Sequence, residues 1–425
     1  MKEKISRGIL FISNGYAEDL IGSLLAEKLH KTLISESFRT NTKEEEYLII
    51  ALPLVGKGDY YTRKGIFTIG PRTLLPSEGF ATKRCRNLLT DLKAGWLRVT
   101  REQIKALRQI RSQVHLVIVV GDFYPVFLSV LFLHRPLIFI PTAKSEYIQP
   151  HYLIEKWFLR RCCLLVFPRD PYTAESLRSN GIRSQYVGNA MMDCLTFSRK
   201  PLPVTSQSYV VGILPGSRSE AYQYFPTLFS TAQEISKQNP TAREVRFLLA
   251  LPPSLDQDRV IEIARTQGGE FHSPWKKEKL PGVKGILTFK EKIPSSLTHK
   301  MRVLNTRIFL IEGRFGDLVH KSQVVIGLSG TGNEQAVGLG KPVVAFPGKG
   351  PQITEKFLHI QQQLLGGAVI IVSPQAKAVA QEVWSLLLSP SRRKEIVHRG
   401  QERMGPPGAI SRMVHLINET FMLRN

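Results

Sequence analysis

Cysteine is scarce in this chain. Cys85, Cys162, Cys163 and Cys194 are too few for a disulfide framework across 425 residues, and their spacing is not that of a metal site. The expectations are a reducing compartment and no metal. An apolar run of membrane-spanning length is also lacking. The nearest approach, Val114 to Ile140, is interrupted by Asp122, Pro125, His134, Arg135 and Pro136, so it reads as strand, helix, strand. Gly8 to Ser13, after the charged Met1 to Arg7, is too short for a signal-peptide core, and no secretion signal is expected. Acidic residues are few: 35 Asp and Glu face 58 Lys and Arg, a net charge of +23. Such an excess attracts nucleic acid, an anionic membrane surface or a phosphorylated substrate. Zinc-finger spacing, an RNP-like aromatic strand and a Gly-x-x-Gly loop in context are missing, which argues against nucleic acid.

With 43% apolar and 22% charged residues, the composition is that of a folded globular protein, and the length calls for two domains. Short apolar runs at 8–13, 47–52, 115–120, 137–140, 164–167 and 185–187 predict strands buried on both faces. Helical patterns at 18–31, 100–111, 124–133, 151–159 and 171–180 alternate with them, favouring parallel α/β architecture. A Ser-, Lys-, Pro- and Thr-rich stretch near 196–208 marks a hinge. The pattern then restarts with strands at 209–214, 245–250, 285–289, 324–327, 343–346 and 369–372, and helices at 220–237, 333–339, 353–364 and 376–388. The expected organisation is a domain over 1–200, a second over 201–400, and a final helix within 401–425 that packs back across the hinge.

Four segments carry chemistry. Ser13-Asn14-Gly15-Tyr16-Ala17-Glu18-Asp19 links a strand to a helix, and Glu18 and Asp19 stand in the first turn, where free N–H groups favour carboxylates. They serve either as caps or as catalytic or acceptor-binding groups. Asp122 leaves an apolar strand, and is either the N-cap of the next helix or the general base for a sugar hydroxyl. After the first strand of the second half, Gly216 allows a turn, Ser217 caps or donates to phosphate, Arg218 suits an anion, and Glu220 completes a capping box. The strongest segment holds Ser329, Gly330, Thr331, Gly332, Asn333 and Glu334: glycines, hydroxyls and a helix start that together suit a phosphate. Its spacing is not that of a Walker A loop, and the Gly15 turn lacks Gly-x-Gly-x-x-Gly, so neither ATPase nor dinucleotide oxidoreductase chemistry is indicated. Glu334 is placed for ribose hydroxyls. Downstream, Lys349 is placed for a departing diphosphate and Gln352 for donor-sugar hydroxyls, although an ordinary turn accounts for that loop nearly as well. Glu312 to Asp317 is a weaker candidate for holding a nucleotide base.

The basic excess is densest from Lys83 to Arg111, where Leu88, Leu92, Trp96, Leu107 and Ile110 recur at helical spacing among the bases. Trp157, Phe158 and Leu159 with Lys156, Arg160 and Arg161 form a second such set. Bases and tryptophan beside an apolar face suit a membrane interface; packing of that face onto the sheet is the equal alternative.

In their order, the Ser13 loop, the Asp122 loop, Val187-Gly188-Asn189-Ala190-Met191-Met192-Asp193, Pro215 to Arg218, and Ser329 to Glu334 resemble the GT-B glycosyltransferases. The likeness is closer to the lipid-A-disaccharide synthase-related group, including its cyanobacterial-type relatives. Asn189 stands where the lipid-A enzyme has His. The resemblance implies an α/β GT-B fold, two Rossmann-like domains facing a cleft. It also implies metal-independent, inverting transfer of a sugar from a nucleotide sugar, UDP-linked, to a hydroxyl of a membrane lipid by a peripheral cytoplasmic enzyme. Two alternatives stand beside it: a UDP-sugar 2-epimerase, and a non-catalytic membrane-binding protein of the same fold.

Overall fold

The computed structural model describes residues 5–39, 45–72, 95–273, 280–294, 301–350 and 352–422. The chain divides into two compact units, Met1–Cys194 with Gly405–Asn425, and Leu195–Met404. Among the described residues no helix is long and apolar enough to cross a membrane.

The first unit comprises β1 (Ile5–Ser13), α1 (Tyr16–Arg39), β2 (Glu45–Pro53), α2 (Asp59–Arg63), β3 (Phe67–Thr68), α3 (Trp96–Ile110), β4 (Val114–Gly121), α4 (Phe123–Phe132), β5 (Leu137–Pro141), α5 (Leu153–Cys162), β6 (Cys163–Val166), α6 (Pro171–Ser179) and a 3-10 turn, Ala190–Cys194. Its strands form one sheet in the order β3-β2-β1-β4-β5-β6, and every pairing is parallel. Alternate residues go to opposite faces. Ile9 and Phe11 of β1 pack with Ile21, Leu25 and Leu29 of α1, whereas Leu10 and Ile12 pack with Leu107 of α3, Val126 of α4 and Leu159 of α5. Burial on both faces is why these strands read as unbroken apolar runs.

The second unit begins with β7 (Tyr209–Leu214) and a 3-10 turn (Ser219–Gln223), followed by α7 (Phe225–Lys237), β8 (Val245–Ala250), α8 (Gln257–Thr266), β9 (Gly269–His272), β10 (Val283–Pro294) and β11 (Met301–Ile311). It continues through α9 (Phe315–Lys321), β12 (Val324–Gly327), α10 (Thr331–Gly338), β13 (Val343–Ala345), α11 (Glu355–Leu364), β14 (Val369–Ile371), α12 (Ala376–Leu388) and α13 (Pro390–Met404). The sheet order is β14-β13-β12-β7-β8-β11-β10-β9, parallel from β14 to β11. β10 and β9 run antiparallel at its edge. The last helix, α14 (Ala409–Met422), belongs to the first unit, where Ile410, Met413, Val414 and Ile417 join the face built on α1. Asp193 fixes its start: one carboxylate oxygen accepts from the N–H of Gly408 and the other from that of Ile410 at 2.6 Å. The Arg412 side chain donates to the Val187 carbonyl at 2.8 Å.

Three sequence expectations are corrected. Residues 185–187 form no strand; only an isolated bridge joins Ser184 to Val166. The helix expected over 220–237 is two elements, because Pro226 at the start of α7 has no N–H with which to continue the preceding turn. Strand β11 was not foreseen. Its apolar run Ile308, Phe309, Leu310 and Ile311 is buried, but Asn305, Thr306 and Arg307 stand before it and mask the strand in the sequence.

Two side chains of the Glu312 to Asp317 loop have a structural role. Arg314, 5% exposed, donates to Asp317 at 3.0 Å and to the carbonyls of Pro201 and Pro281 at 2.8 and 2.9 Å. It also bonds the carbonyl of Lys200. Asp317 accepts from the hydroxyl of Ser198 at 2.6 Å and from its N–H. The pair ties residues 198–201 to this loop of the second unit. Burial alone would raise the Asp317 pKa, but the bonds from Ser198 and Arg314 outweigh it and hold the carboxyl below its ordinary value. Asp317→Ala leaves a buried guanidinium without its counter-charge and is expected to destabilise the second unit by about 3 kcal/mol in urea unfolding. In the native protein this contribution is present above the unfolded carboxyl's pKa near 3.8 and is lost as pH falls through the lower folded value. A variant as stable as the wild type at pH 7 would refute the assignment.

Candidate functional site

In an open α/β sheet, ligands gather beyond the carboxyl ends of strands where the winding direction switches. The second unit switches between β7 and β12. The loops leaving these two strands touch there. Gly216, at φ 92°, approaches so closely that a Cβ would lie 2.9 Å from the Leu328 carbonyl oxygen, so both space and backbone angle call for glycine. The small pocket at this point is lined by Gly216, Ser217, Arg218, Glu220, Tyr224 and Gln352, among others. Arg218 is the residue before the 3-10 turn that starts at Ser219. Ser217 is exposed, and its carbonyl accepts from Ser254 at 2.5 Å.

The start of α10 is shaped from within. The Ser329 hydroxyl accepts from the Gly332 N–H at 3.1 Å. Asn333 is wholly buried and donates to the Gly327 carbonyl at 3.1 Å and to Gln361 at 2.9 Å. Gln361 in turn donates to the Gly330 carbonyl at 2.8 Å. Asn333 thus braces the loop from behind, while Thr331 and Glu334 in the first turn of α10 are half-buried. A Cβ on Gly330 would lie 3.2 Å from the Gln352 amide, which places Gln352 against the helix start. Lys349 is exposed; its carbonyl accepts from the Tyr224 hydroxyl, fixing the loop after β13. The structure therefore brings Gly216, Ser217, Arg218 and Gln352 to one concavity, with Gly330 at its border. Gln361 and Tyr224 were missed, because nothing local in the sequence ties them to segments 28 or more residues away.

The first unit switches direction between β1 and β4, and the three candidate carboxylates lie at those strand ends. Asp122 is the N-cap of α4 and accepts from the Tyr124 N–H at 2.9 Å. Its own N–H donates to Asn14 at 3.3 Å. Gly121 before it, at φ 144°, has no room for a Cβ beside the Asn14 amide. The Asp122 pKa is raised, first by loss of water around the carboxylate; bonds from Tyr124 and Asn14 act against that rise. Glu18 accepts from the Thr142 hydroxyl, at the end of β5, at 2.7 Å. Asp19 lies deeper, 1% exposed. It accepts from Ser13 at 2.6 Å, and the same hydroxyl meets Tyr61 at 3.0 Å. Burial pushes Asp19 up to about 7, against the Ser13 bond and with the help of the Glu18 charge.

Glu18 and Asp122 thus reach the sheet edge, while Asp19 is interior and supports the Ser13 turn. Asn189, also buried, bonds the N–H of Met191 and shapes the turn ahead of Asp193. Lys144 and Glu155, joined at 2.5 Å, contribute to the field at Asp122 and escaped the sequence reading; so did Thr142 and Tyr61. Among the described residues no three His, Cys, Asp or Glu side chains group as a metal site.

The Asp19 shift has a stability consequence. A carboxyl whose folded pKa exceeds its unfolded value near 3.8 holds its proton more firmly when folded, so stability is greatest below that value and falls as pH rises through about 7. Asp19→Asn is expected to flatten this fall, a difference of about 4 kcal/mol at most by pH 8. Thermal unfolding from pH 4 to 8 checks it, and parallel curves for the two proteins would refute it.

No protein-family model matches the sequence, and no curated protein matches it. Solved structures do. The chain superposes on a putative UDP-N-acetylglucosamine 2-epimerase from Listeria monocytogenes with a TM-score of 0.57 and 14% identity, covering 98% of this chain and 97% of the other. The UDP-GlcNAc 2-epimerase from Neisseria meningitidis, bound to UDP-GlcNAc, gives 0.54 and 15%, with 98% and 100% covered. A calicheamicin glycosyltransferase gives 0.57 and 14%, with 99% and 98% covered. At these identities the likeness is one of fold: two Rossmann-like α/β units of the GT-B type.

Proposed function

We propose that this protein is an enzyme acting on a UDP-linked sugar held by the loops after β7, β12 and β13. The observation that carries the reading is the contact of Gly216 with Leu328. It joins two glycine-bearing loops at the switch point, beside Arg218 and the start of α10. The N-terminal end of α10 and the Arg218 guanidinium suit a diphosphate, and both are in place before charge develops on a departing UDP. Glu334 is assigned to ribose hydroxyls and Gln352 to the sugar; Lys349, exposed beside them, adds positive charge. No metal is invoked, because these groups already supply the countercharge.

Of the two reactions such a site serves, 2-epimerisation has the support of the solved structures, several of which are described as UDP-GlcNAc 2-epimerases. It removes the proton at C2 and returns it to the opposite face, without an acceptor. Transfer to a lipid hydroxyl is the second reading. It is favoured by an exposed apolar surface on α4 and α5, the helix that Asp122 caps and the one that packs against it. In transfer, the acceptor oxygen bonds to C1 as UDP leaves, and Asp122 takes the hydroxyl proton; its raised pKa makes it a better base than an ordinary carboxylate. Such an enzyme works at the cytoplasmic face of a membrane.

Incubating the protein with UDP-sugars in D₂O, with and without membrane lipids, separates the two. Epimerisation puts deuterium at C2 without lipid, whereas transfer gives a lipid of higher mass. Neither product, together with no UDP binding by calorimetry, would overturn both. Arg218→Ala is expected to weaken UDP binding by about tenfold to a hundredfold. Asp122→Asn is expected to slow turnover by about a hundredfold or more with UDP affinity unchanged. Unchanged turnover would remove Asp122 from the reaction.

A further inference from the structure

Helix α5 is amphipathic in the wrong sense for a soluble surface. Leu153, Ile154 and Trp157 are 84%, 65% and 49% exposed, whereas Glu155 is buried at 8%. The inversion is held in place. Glu155 accepts from Lys144 at 2.5 Å and from the Tyr152 N–H at 2.8 Å, and Leu159 packs into the core below, so rotating the helix to hide its apolar residues would break both anchors. α4 lies against it through Phe123 and Phe127, whose rings meet Phe158 at 5.8 and 6.4 Å. Phe127 and Leu131 of α4 are themselves 40% and 46% exposed. The result is an apolar surface made by two helices.

Its margins are basic. Arg160 and Arg161 follow on α5, and Arg161 lies over the Trp157 ring at 6.0 Å. On the other side, Arg108 of α3 lies over Phe132 at 5.2 Å, with Arg101 and Lys105 exposed on the same helix. α3 itself buries Val99, Ala106 and Leu107. The described part of the Lys83 to Arg111 run therefore supplies charge, and its apolar side packs into the core apart from Leu97, which is 52% exposed; Lys83 to Lys93 lie outside the described residues. Apolar side chains, tryptophan and an arginine rim form the combination that inserts into the headgroup layer of an anionic bilayer, with the guanidinium groups at phosphate level. Asp122 caps the same α4 whose Phe127 and Leu131 face outward, so the surface and the carboxylate adjoin.

We propose that the α4–α5 surface, with Leu153, Ile154 and Trp157 at its centre, docks this protein on an anionic lipid bilayer and sets Asp122 at headgroup depth. This deepens the lipid-transfer reading and rests on it. The test is sedimentation of the full-length protein with phosphatidylcholine vesicles, with and without phosphatidylglycerol. Binding is expected to require phosphatidylglycerol. Leu153→Glu with Ile154→Glu is expected to weaken it by about tenfold or more, and Arg160→Glu with Arg161→Glu to abolish the lipid-charge preference. These positions are exposed, so thermal unfolding and UDP binding should be unchanged. Tryptophan quenching by brominated lipid should be lost in Trp157→Phe. Three outcomes would overturn the inference: no binding to charged vesicles, variants that bind as the wild type does, or a dimer in sedimentation equilibrium that Leu153→Glu dissociates. Wild-type protein that binds UDP but no charged vesicles refutes the docking alone, whereas wild-type protein that binds charged vesicles but no UDP refutes the enzyme reading and leaves the docking standing.

Discussion

A parallel sheet covered on both faces leaves few places for chemistry, and both units of this protein obey that constraint. Helices close the faces, and successive strands pair from end to end. Only where the chain reverses its winding, between β1 and β4 in one unit and β7 and β12 in the other, do neighbouring connections part and expose strand ends. The Glu18, Asp122, Arg218 and Ser329 segments all lie at one of these two points or on the helix that leaves it, with Lys349 and Gln352 contributed by the loop after β13. The glycines follow from the same constraint. Gly121 and Gly216 have positive φ where a loop must turn sharply beside another loop's backbone or amide.

Charge inside the units is handled by pairing, and pairing separates interior carboxylates from those at the strand ends. Asp317 and Asp193 are fully engaged, one with Arg314 and Ser198, the other with the start of α14. Asp19 has a single hydroxyl donor and dense surroundings, hence its raised pKa. Asp122 and Glu18 stand at the carboxyl ends of the central strands, where they accept from Tyr124 and Thr142. The carboxylates therefore fall into classes that sequence position does not reveal, since Glu18 and Asp19 are adjacent and end in different environments.

The excess of 23 positive charges is likewise divided. On α3 the bases face outward from a helix whose apolar side is core, an ordinary solvated arrangement. Beside α5 they border apolar side chains held outward by the inward anchoring of Glu155. The same composition has different physical meaning in the two places, because the free energy of an exposed leucine depends on what its helix buries on the other side.

The sequence by itself determined the alternation of strands and helices, the absence of a spanning helix among the described residues, and the glycine-bearing loops, because each rests on local periodicity or on steric limits within a few residues. It misled where polar residues precede a short buried apolar run, as at β11, and where proline divides a helix, as at Pro226. Only the tertiary structure decided that Asn333 braces a loop, that Arg314 clamps residues 198–201, that Thr142 meets Glu18 and that α5 turns its apolar side outward. These are contacts between segments up to 124 residues apart, fixed by sheet register and by which strand ends adjoin, and no local pattern encodes that information.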